Sequence, residues 1–131
     1  MRSAALGAAA IVLAACAANQ TPDDAAVCDA FSNQRSRVEV VASGTVTRVL
    51  GVQSGPHEGF LMKLDSGCSV VVRVEANTDF TGEFALSQGD KVVVKGEYEY
   101  YGLGGVIHWT HRDPRNRHEG GFIQVAGKTY D

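Results

Sequence analysis

Residues 38–49 read VEVVASGTVTRV, and this stretch decides the fold class. Apolar and polar residues alternate along it, and this period of two is typical of a half-buried strand rather than a helix. The residues that share the apolar face are Val38, Val40, Ala42, Gly44 and Val46. The alternation changes phase before Val49, and Gly44 offers a place for a bend or bulge. The sequence therefore predicts a long, bent first strand.

On either side of this strand the sequence predicts further elements. Downstream, the alternation of apolar and polar residues recurs in short segments between turn-forming residues. Upstream, Asp23 or Asp24 can cap a short helix that runs to about Arg35. The segment from Ala76 to Gln88 has no clear period. The further strands are predicted around Phe60–Leu64, Val70–Val74, Lys91–Gly96 and Val106–Thr110, with a closing hairpin of Phe122–Val125 and Lys128–Tyr130.

A long bent strand, a hairpin, an irregular crossing and two more strands predict a mainly β domain. The arrangement fits a small OB-like five-stranded barrel with a short N-terminal helix. The stretch Leu86–Gly96 also resembles the start of the fourth strand in many OB domains. A small β-sandwich is the competing architecture. The chain of 131 residues, 44% hydrophobic and 21% charged, is long enough for one such core.

The N-terminus has the layout of an export signal. Arg2 precedes a short apolar run that ends in small residues, too short to span a membrane. Leu13-Ala14-Ala15-Cys16 resembles the bacterial lipobox, which implies cleavage before Cys16 and lipid attachment to it. We therefore predict a signal peptide over 1–15, a tether over 16–24 and a single domain over 25–131. By the same resemblance, Ala17 implies the periplasmic face of the outer membrane.

Lipid attachment at Cys16 leaves Cys28 and Cys68 as an even pair in an oxidising compartment. We predict a disulfide between them, with two buried thiols as the alternative. The bridge closes a loop of 40 residues, which is worth about 4 kcal/mol in the chain-entropy model.

The charge balance disfavours a nucleic-acid partner. The formal net charge is −3, and loss of Arg2 with the leader makes it −4. A mildly acidic domain repels polyanions at long range. The partners that we expect are the membrane, reached through the N-terminal lipid, and a small ligand or an envelope glycan.

Three of the four histidines lie within 11 residues near the C-terminus. Imidazole and carboxylate groups suit zinc and other divalent transition metals, so this segment predicts a metal site. The predicted metal ligands are His57, His108, His111, His118 and Asp113. On a strand, His108 and His111 face opposite sides, so they converge only if the strand ends near Thr110. The alternative is that the histidines only stabilise the fold and bind no metal.

The same segment resembles a known family. Residues 104–111 read GGVIHWTH, followed by Asp113-Pro114, His118 and Gly121, and this pattern is similar to the domain of unknown function family 3465 of small exported bacterial proteins. The likeness extends back over residues 96–99 and, more loosely, to residues 57–60. There the chain has His57-Glu58-Gly59-Phe60 where relatives often carry glutamine after the histidine, so no role passes to Glu58. The resemblance implies no reaction.

Three functions stay open. The first is a cell-envelope lipoprotein that binds a metal ion, an anion or a glycan, with predicted ligand-binding residues Trp109, Tyr98, Tyr100, Arg112, Arg115 and Glu119. Arginines near the histidines favour an anionic ligand such as phosphate or carboxylate. The second is a metal-dependent hydrolase, such as a phosphodiesterase, with a histidine as general base. The third is a purely structural envelope protein.

Overall fold

The computed structural model describes residues 20–131, so the predicted leader and residues 16–19 of the predicted tether, Cys16 included, lie outside the described residues. Within them the fold is mainly β with a short helix near the N-terminus, as predicted. The elements are α1 (Asp24–Ser32), β1 (Val38–Ser54), β2 (His57–Leu64), β3 (Val71–Asn77), α2 (Thr78–Thr81), β4 (Lys91–Glu99), β5 (Val106–His108), β6 (Phe122–Val125) and β7 (Lys128–Tyr130).

Five of the strands form a closed ring in the order β1-β2-β3-β5-β4, and a pairing of β1 with β4 completes it. The great length of β1 makes this closure possible, because its first part pairs with β4 and its second part pairs with β2. The pairing of β3 with β5 is parallel, and the other pairings are antiparallel. The hairpin of β6 and β7 extends the sheet from β4.

The interior of the ring is filled by the alternate residues that the period of two predicted. Val40, Ala42 and Val46 of β1 are buried, and Val49 beyond the change of phase is exposed. The other strands contribute buried side chains that are mainly aliphatic: Phe60, Met62, Leu64, Val72, Val74, Ala76, Val92, Val94, Tyr98, Ile107 and Ile123. The opposite face of the same strands therefore points outward and carries the polar residues.

The bend in β1 lies further along the strand than Gly44. The register shifts between Val46 and Arg48 and twice more before Ser54. Gly44 instead allows β2 to approach closely, because a Cβ atom there would lie 2.7 Å from the carbonyl oxygen of Lys63. The predicted bulge at Gly44 was therefore wrong.

The helix α1 is attached to the ring by a covalent link and by a buried carboxylate. Cys28 and Cys68 are the predicted pair, with sulfurs at bonding distance and Cα atoms 5.8 Å apart. Asp24 is buried and accepts hydrogen bonds from the backbone N–H groups of Ser43 at 2.7 Å and Ser66 at 3.0 Å. Asp24, the last residue of the predicted tether, therefore packs against the ring.

Among residues 20–131, no helix combines the length and the apolar character needed to cross a membrane.

Candidate functional site

The strand β5 ends at His108, two residues earlier than predicted. Trp109 takes a φ of +55°, a conformation that bulky residues rarely adopt and that cannot continue a strand. A backbone outlier of this kind is a recognised marker of functional sites. The turn at Trp109 allows His108 and His111 to lie near one another although a regular strand would separate them.

Close packing of the backbone holds this segment in place. A Cβ atom on Gly96 of β4 would collide with the carbonyl oxygen of His108. A Cβ atom on Gly121 would collide with the carbonyl oxygen of Trp109. Thr110 is fully buried, and its hydroxyl donates to the carbonyl oxygen of Glu75 at 2.7 Å. The two glycines and the threonine thus fix the position of residues 108–111.

Trp109 lies at the centre of an aromatic cluster. The His118 ring stacks on it with centroids 4.5 Å apart, and the His108 ring lies 5.2 Å away. His111 meets His118 edge-on at 5.0 Å, and Phe80 stacks on His111 at 4.3 Å with the rings 5° from parallel. The three histidines of the C-terminal segment are therefore brought together around one indole ring.

The fourth histidine, His57, shares a cavity with three members of this cluster, His108, Trp109 and His111. The cavity has a volume of about 100 Å³. Its lining residues are His57, Glu75, Ala76, Asn77, His108, Trp109 and His111. Three of the four histidines thus line one cavity, and the fourth, His118, stacks on Trp109, which also lines it.

Backbone carbonyls orient two of these imidazoles. The Nδ1 atom of His111 lies 2.7 Å from the carbonyl oxygen of Arg112, and the Nδ1 atom of His118 lies 2.7 Å from that of Glu119. A carbonyl oxygen only accepts, so each Nδ1 must donate. Within residues 20–131, the buried Nε2 atom of His118 has no hydrogen-bond partner.

Asp113, a predicted metal ligand, builds the loop that follows. Its side chain is 1% exposed and accepts hydrogen bonds from the backbone N–H of Arg115 and from the backbone N–H and Nε of Arg117. Burial opposes the charge, but these hydrogen bonds hold the pKa of Asp113 well below its usual range. Its carboxylate lies 3.9 Å from Nε2 of His118.

The tightest group of ligand atoms contains two residues that were not predicted. The Nε2 atom of His108 lies 3.5 Å from Glu97 and 3.8 Å from Glu99, and the ligand atoms of the three residues all lie within 4.8 Å of one another. Glu97 pairs with His108 across β4 and β5, and Glu99 is two residues along the same strand. Two acidic residues two positions apart lie on one face of a strand, and this spacing next to a strand that carries a histidine is the sequence feature that indicates the group.

Negative charge is in excess around this group. Glu39 on β1 pairs with Glu97 on β4. Burial and the nearby carboxylates of Glu119 and Glu97 raise the pKa of Glu39, against the lowering effect of Lys95. The largely buried Lys95 is already paired with Glu119 at 2.7 Å. Around Glu97, the outer face of β1, β4 and β5 thus presents more carboxylates than Lys95 balances.

The two tyrosines predicted to bind a ligand have structural contacts instead. Tyr98 is fully buried, and its hydroxyl donates to the carbonyl oxygen of Gly104 at 3.0 Å. The prediction that Tyr98 forms part of a binding surface was therefore wrong, because the alternation of β4 turns its ring into the core. Tyr100 is half-buried and packs against Phe31 of α1 with ring centroids 5.8 Å apart.

The remaining predicted ligand-binding residues lie near the aromatic cluster. Trp109 is 41% exposed. Arg112 pairs with Asp131 at 2.9 Å, and Glu119 pairs with Lys95. Arg115 is exposed, and its backbone N–H donates to Asp113.

Comparison with curated proteins and with solved structures gave no match. The sequence profile of the family described as "Protein of unknown function (DUF3465)" matches residues 10–131. The match covers almost the whole chain and agrees with the resemblance in the histidine segment. The chain therefore belongs to the DUF3465 family.

Proposed function

We propose that this protein is an exported lipoprotein whose β domain binds a divalent transition metal ion, with zinc as the leading candidate. The proposed ligands are Glu97, Glu99 and His108. The observation that carries the proposal is the convergence of these three ligand atoms, together with an Nε2 atom of His108 that is buried and has no hydrogen-bond partner among residues 20–131.

The distances suit a single ion. Zinc bonds to nitrogen and oxygen are about 2.0–2.2 Å long, and tetrahedral angles then place neighbouring ligand atoms about 3.4 Å apart. The Nε2 atom of His108 lies 3.5 Å from Glu97 and 3.8 Å from Glu99. The ligand atoms of Glu97 and Glu99 lie within 4.8 Å of one another, and rotation of these two flexible side chains brings them closer around an ion.

The donor set and its charge favour a divalent cation of borderline softness. Two carboxylates and one imidazole suit Zn²⁺, Mn²⁺ or Fe²⁺, whereas the absence of sulfur from the set disfavours Cu⁺. Paired carboxylates of like charge repel one another, and Glu39 adds a third beside Glu97. A bound cation relieves this repulsion. Three protein ligands also leave a coordination position open.

The architecture that we propose around this site is an OB-like barrel. Its support is the closed ring β1-β2-β3-β5-β4, in which one long curved strand pairs with two neighbours. The proposed site lies on the outer face of the ring, where β4 and β5 meet. The proposed lipid on Cys16 rests on the lipobox-like sequence Leu13-Ala14-Ala15-Cys16 alone.

Metal titration of untagged protein tests the proposal, with Trp109 as the reporter. The chain has one tryptophan, and its ring lies 5.2 Å from that of His108. Binding of Co²⁺ or Ni²⁺ at His108 is expected to quench the Trp109 fluorescence at one equivalent, and Zn²⁺ is expected to compete. Elemental analysis of the purified protein measures any metal that it carries.

Variants of the proposed metal ligands can be compared with a control variant of equal charge. Removing both acidic ligands in a Glu97→Gln, Glu99→Gln double variant should abolish stoichiometric quenching, as should His108→Ala. The matched control is a Glu58→Gln, Glu83→Gln double variant, which removes the same charge away from the site. Equal affinity of the ligand variants and the control for Co²⁺ would contradict the proposal.

A metal-dependent hydrolase is the second candidate. The observation that favours it is the cavity beside His108, which His57 and Glu75 also line. In this second proposal one of these two residues is the general base. Hydrolysis of a nitrophenyl phosphodiester by Zn²⁺-loaded protein is the measurement. A rate that is unchanged in a His57→Ala, Glu75→Gln double variant would exclude those two residues as the base.

A further inference from the structure

We propose a second binding site, separate from the metal ligands, that accepts a small anion attached to a planar ring, such as an aryl carboxylate or an aryl phosphate. The site is a cavity of about 320 Å³ between α2 and the loop that follows Thr110. Its lining residues are Phe80, Asp113, Pro114, Arg115 and Arg117. Neither Glu97, Glu99 nor His108 lines it, so the proposal does not rest on the metal site.

Phe80 supplies a flat apolar wall. One face of its ring is covered by His111 in a near-parallel stack, which fixes the orientation of the ring. The side chain is nevertheless 39% exposed, and it lines the cavity. A fixed aromatic ring with uncovered surface gains from contact with a second ring in an offset stack or an edge-to-face arrangement.

The opposite wall is a loop that its own hydrogen bonds hold rigid. The buried carboxylate of Asp113 accepts from Arg115 and Arg117, and the carbonyl oxygen of Asp113 accepts from the backbone N–H of Asn116 at 2.9 Å. Arg115 and Arg117 are therefore presented from a preorganised backbone. Preorganisation lowers the entropic cost of ligand binding.

The charge of the cavity is positive although the whole domain is acidic. Asp113 balances Arg117 through a contact of 3.0 Å with its Nε atom. Among residues 20–131, Arg112 and Arg117 each pair with a carboxylate, whereas the guanidinium of Arg115 has no carboxylate within ion-pair distance. A guanidinium binds carboxylate and phosphate oxygens in a bidentate manner. We therefore assign to Arg115 the binding of the ligand's anionic group, and to Phe80 the stacking against the ligand's ring.

The size of the cavity agrees with this class of ligand. Small-molecule pockets span roughly 300–1,000 Å³, and this cavity falls at the lower end of that range. One six-membered ring with one charged group fits within such a volume. Pro114 adds apolar surface beside the ring.

Titrations with benzoate and phenyl phosphate, followed by amide chemical shifts, test the proposal on the folded domain. Both probes are expected to shift the amide signals of residues 79–81, 113 and 115–117, and the tighter of the two identifies the anionic group. Benzamide, which keeps the ring but lacks the charge, is expected to bind much more weakly. Inorganic phosphate, which lacks the ring, is expected to bind more weakly than phenyl phosphate.

Two variants assign the groups. Arg115→Gln is expected to weaken binding of the aryl anions by roughly tenfold or more, because a charge-assisted hydrogen bond is lost. Phe80→Leu is expected to remove the preference for phenyl phosphate over inorganic phosphate. Arg48→Gln, at an exposed position of β1, is the control. The proposal is overturned if neither aryl anion binds at millimolar concentration, if benzamide binds as tightly as benzoate, or if Arg115→Gln binds like the control.

Discussion

Glu39 on β1 lies directly opposite Glu97 on β4, so two carboxylates are cross-strand neighbours on the outer face of the ring. Like charges in this arrangement destabilise a sheet, and the raised pKa of Glu39 reflects burial first and nearby carboxylates second. We therefore expect the pair to cost stability when no cation is bound. Such a cost is typical of positions that serve a ligand rather than the fold.

Replacement of Glu39 by glutamine is expected to stabilise the metal-free protein. Removal of the like-charge repulsion should raise the free energy of unfolding by roughly 0.2–1 kcal/mol. Urea unfolding in the presence of a chelator measures the change. Glu83→Gln, at an exposed position outside the strands, should leave stability unchanged. A Glu39→Gln protein less stable than wild type would show that the carboxylate supports the fold.

Reduction of the disulfide between Cys28 and Cys68 is expected to destabilise the domain by about 4 kcal/mol, because the bridge closes a loop of 40 residues. Urea midpoints of the oxidised protein and of the Cys28→Ser, Cys68→Ser variant provide the comparison. Hydrogen exchange of α1 should increase most. An α1 that stays protected in the variant would mean that the hydrogen bonds of Asp24 suffice to hold the helix.

The loop at Asp113 is expected to lose its contribution to stability in acid. The pKa of Asp113 is lowered in the folded protein, so its stabilising effect is complete above the unfolded-state pKa of about 3.9 and declines as the pH falls through the lower folded-state value. Asp113→Asn should therefore be clearly less stable than wild type at pH 7, and the difference should shrink between pH 4 and pH 2. A difference that does not depend on pH would contradict this account.

Tyr98 is expected to make the fold sensitive to alkaline pH. Burial raises the pKa of Tyr98 to about 12, so the stability linked to its neutral form is present below pH 10 and is lost as the pH rises towards 12. Tyr98→Phe should remove the most alkaline phase of tyrosinate absorbance. It should also cost about 1 kcal/mol at neutral pH, since the hydrogen bond to Gly104 is lost. Survival of that alkaline phase in the variant would assign it to another tyrosine.

Lipid attachment to Cys16 is expected to hold the protein in the membrane fraction. The intact mass of membrane-extracted protein should show an acylated N-terminal cysteine. Cys16→Ser should move the protein out of that fraction, whereas Cys28→Ser should not. An unmodified N-terminus at Ala17 or Ala18 would exclude the lipid.

The fold was largely predictable because burial on one face of each strand leaves a period of two in the sequence. The closing hairpin at Phe122–Val125 and Lys128–Tyr130 and the mainly β class follow from that pattern. The position of the bend in β1 does not follow from that pattern. A glycine in a strand can mark either a bulge or the close approach of a neighbouring strand, and the sequence does not show which of the two applies to Gly44.

The candidate site was predictable only in part. Clustering along the chain pointed to His108, His111 and His118. Glu97 and Glu99 were missed, because their closeness to His108 arises from pairing of β4 with β5. Tyr98 was misassigned, since a tyrosine on an alternating strand suits either face.

The strand β5 contributes only three residues to the ring, and it pairs with β3 through only Val106 and Ile107. Ring closure therefore depends on a short segment that can separate locally at low cost. An ion held jointly by Glu97 on β4 and His108 on β5 would add a link on the other side of β5, where it pairs with β4. Because the ion binds only when β4 and β5 are paired, its binding energy would stabilise the closed ring. Metal binding would then make the domain unfold more cooperatively.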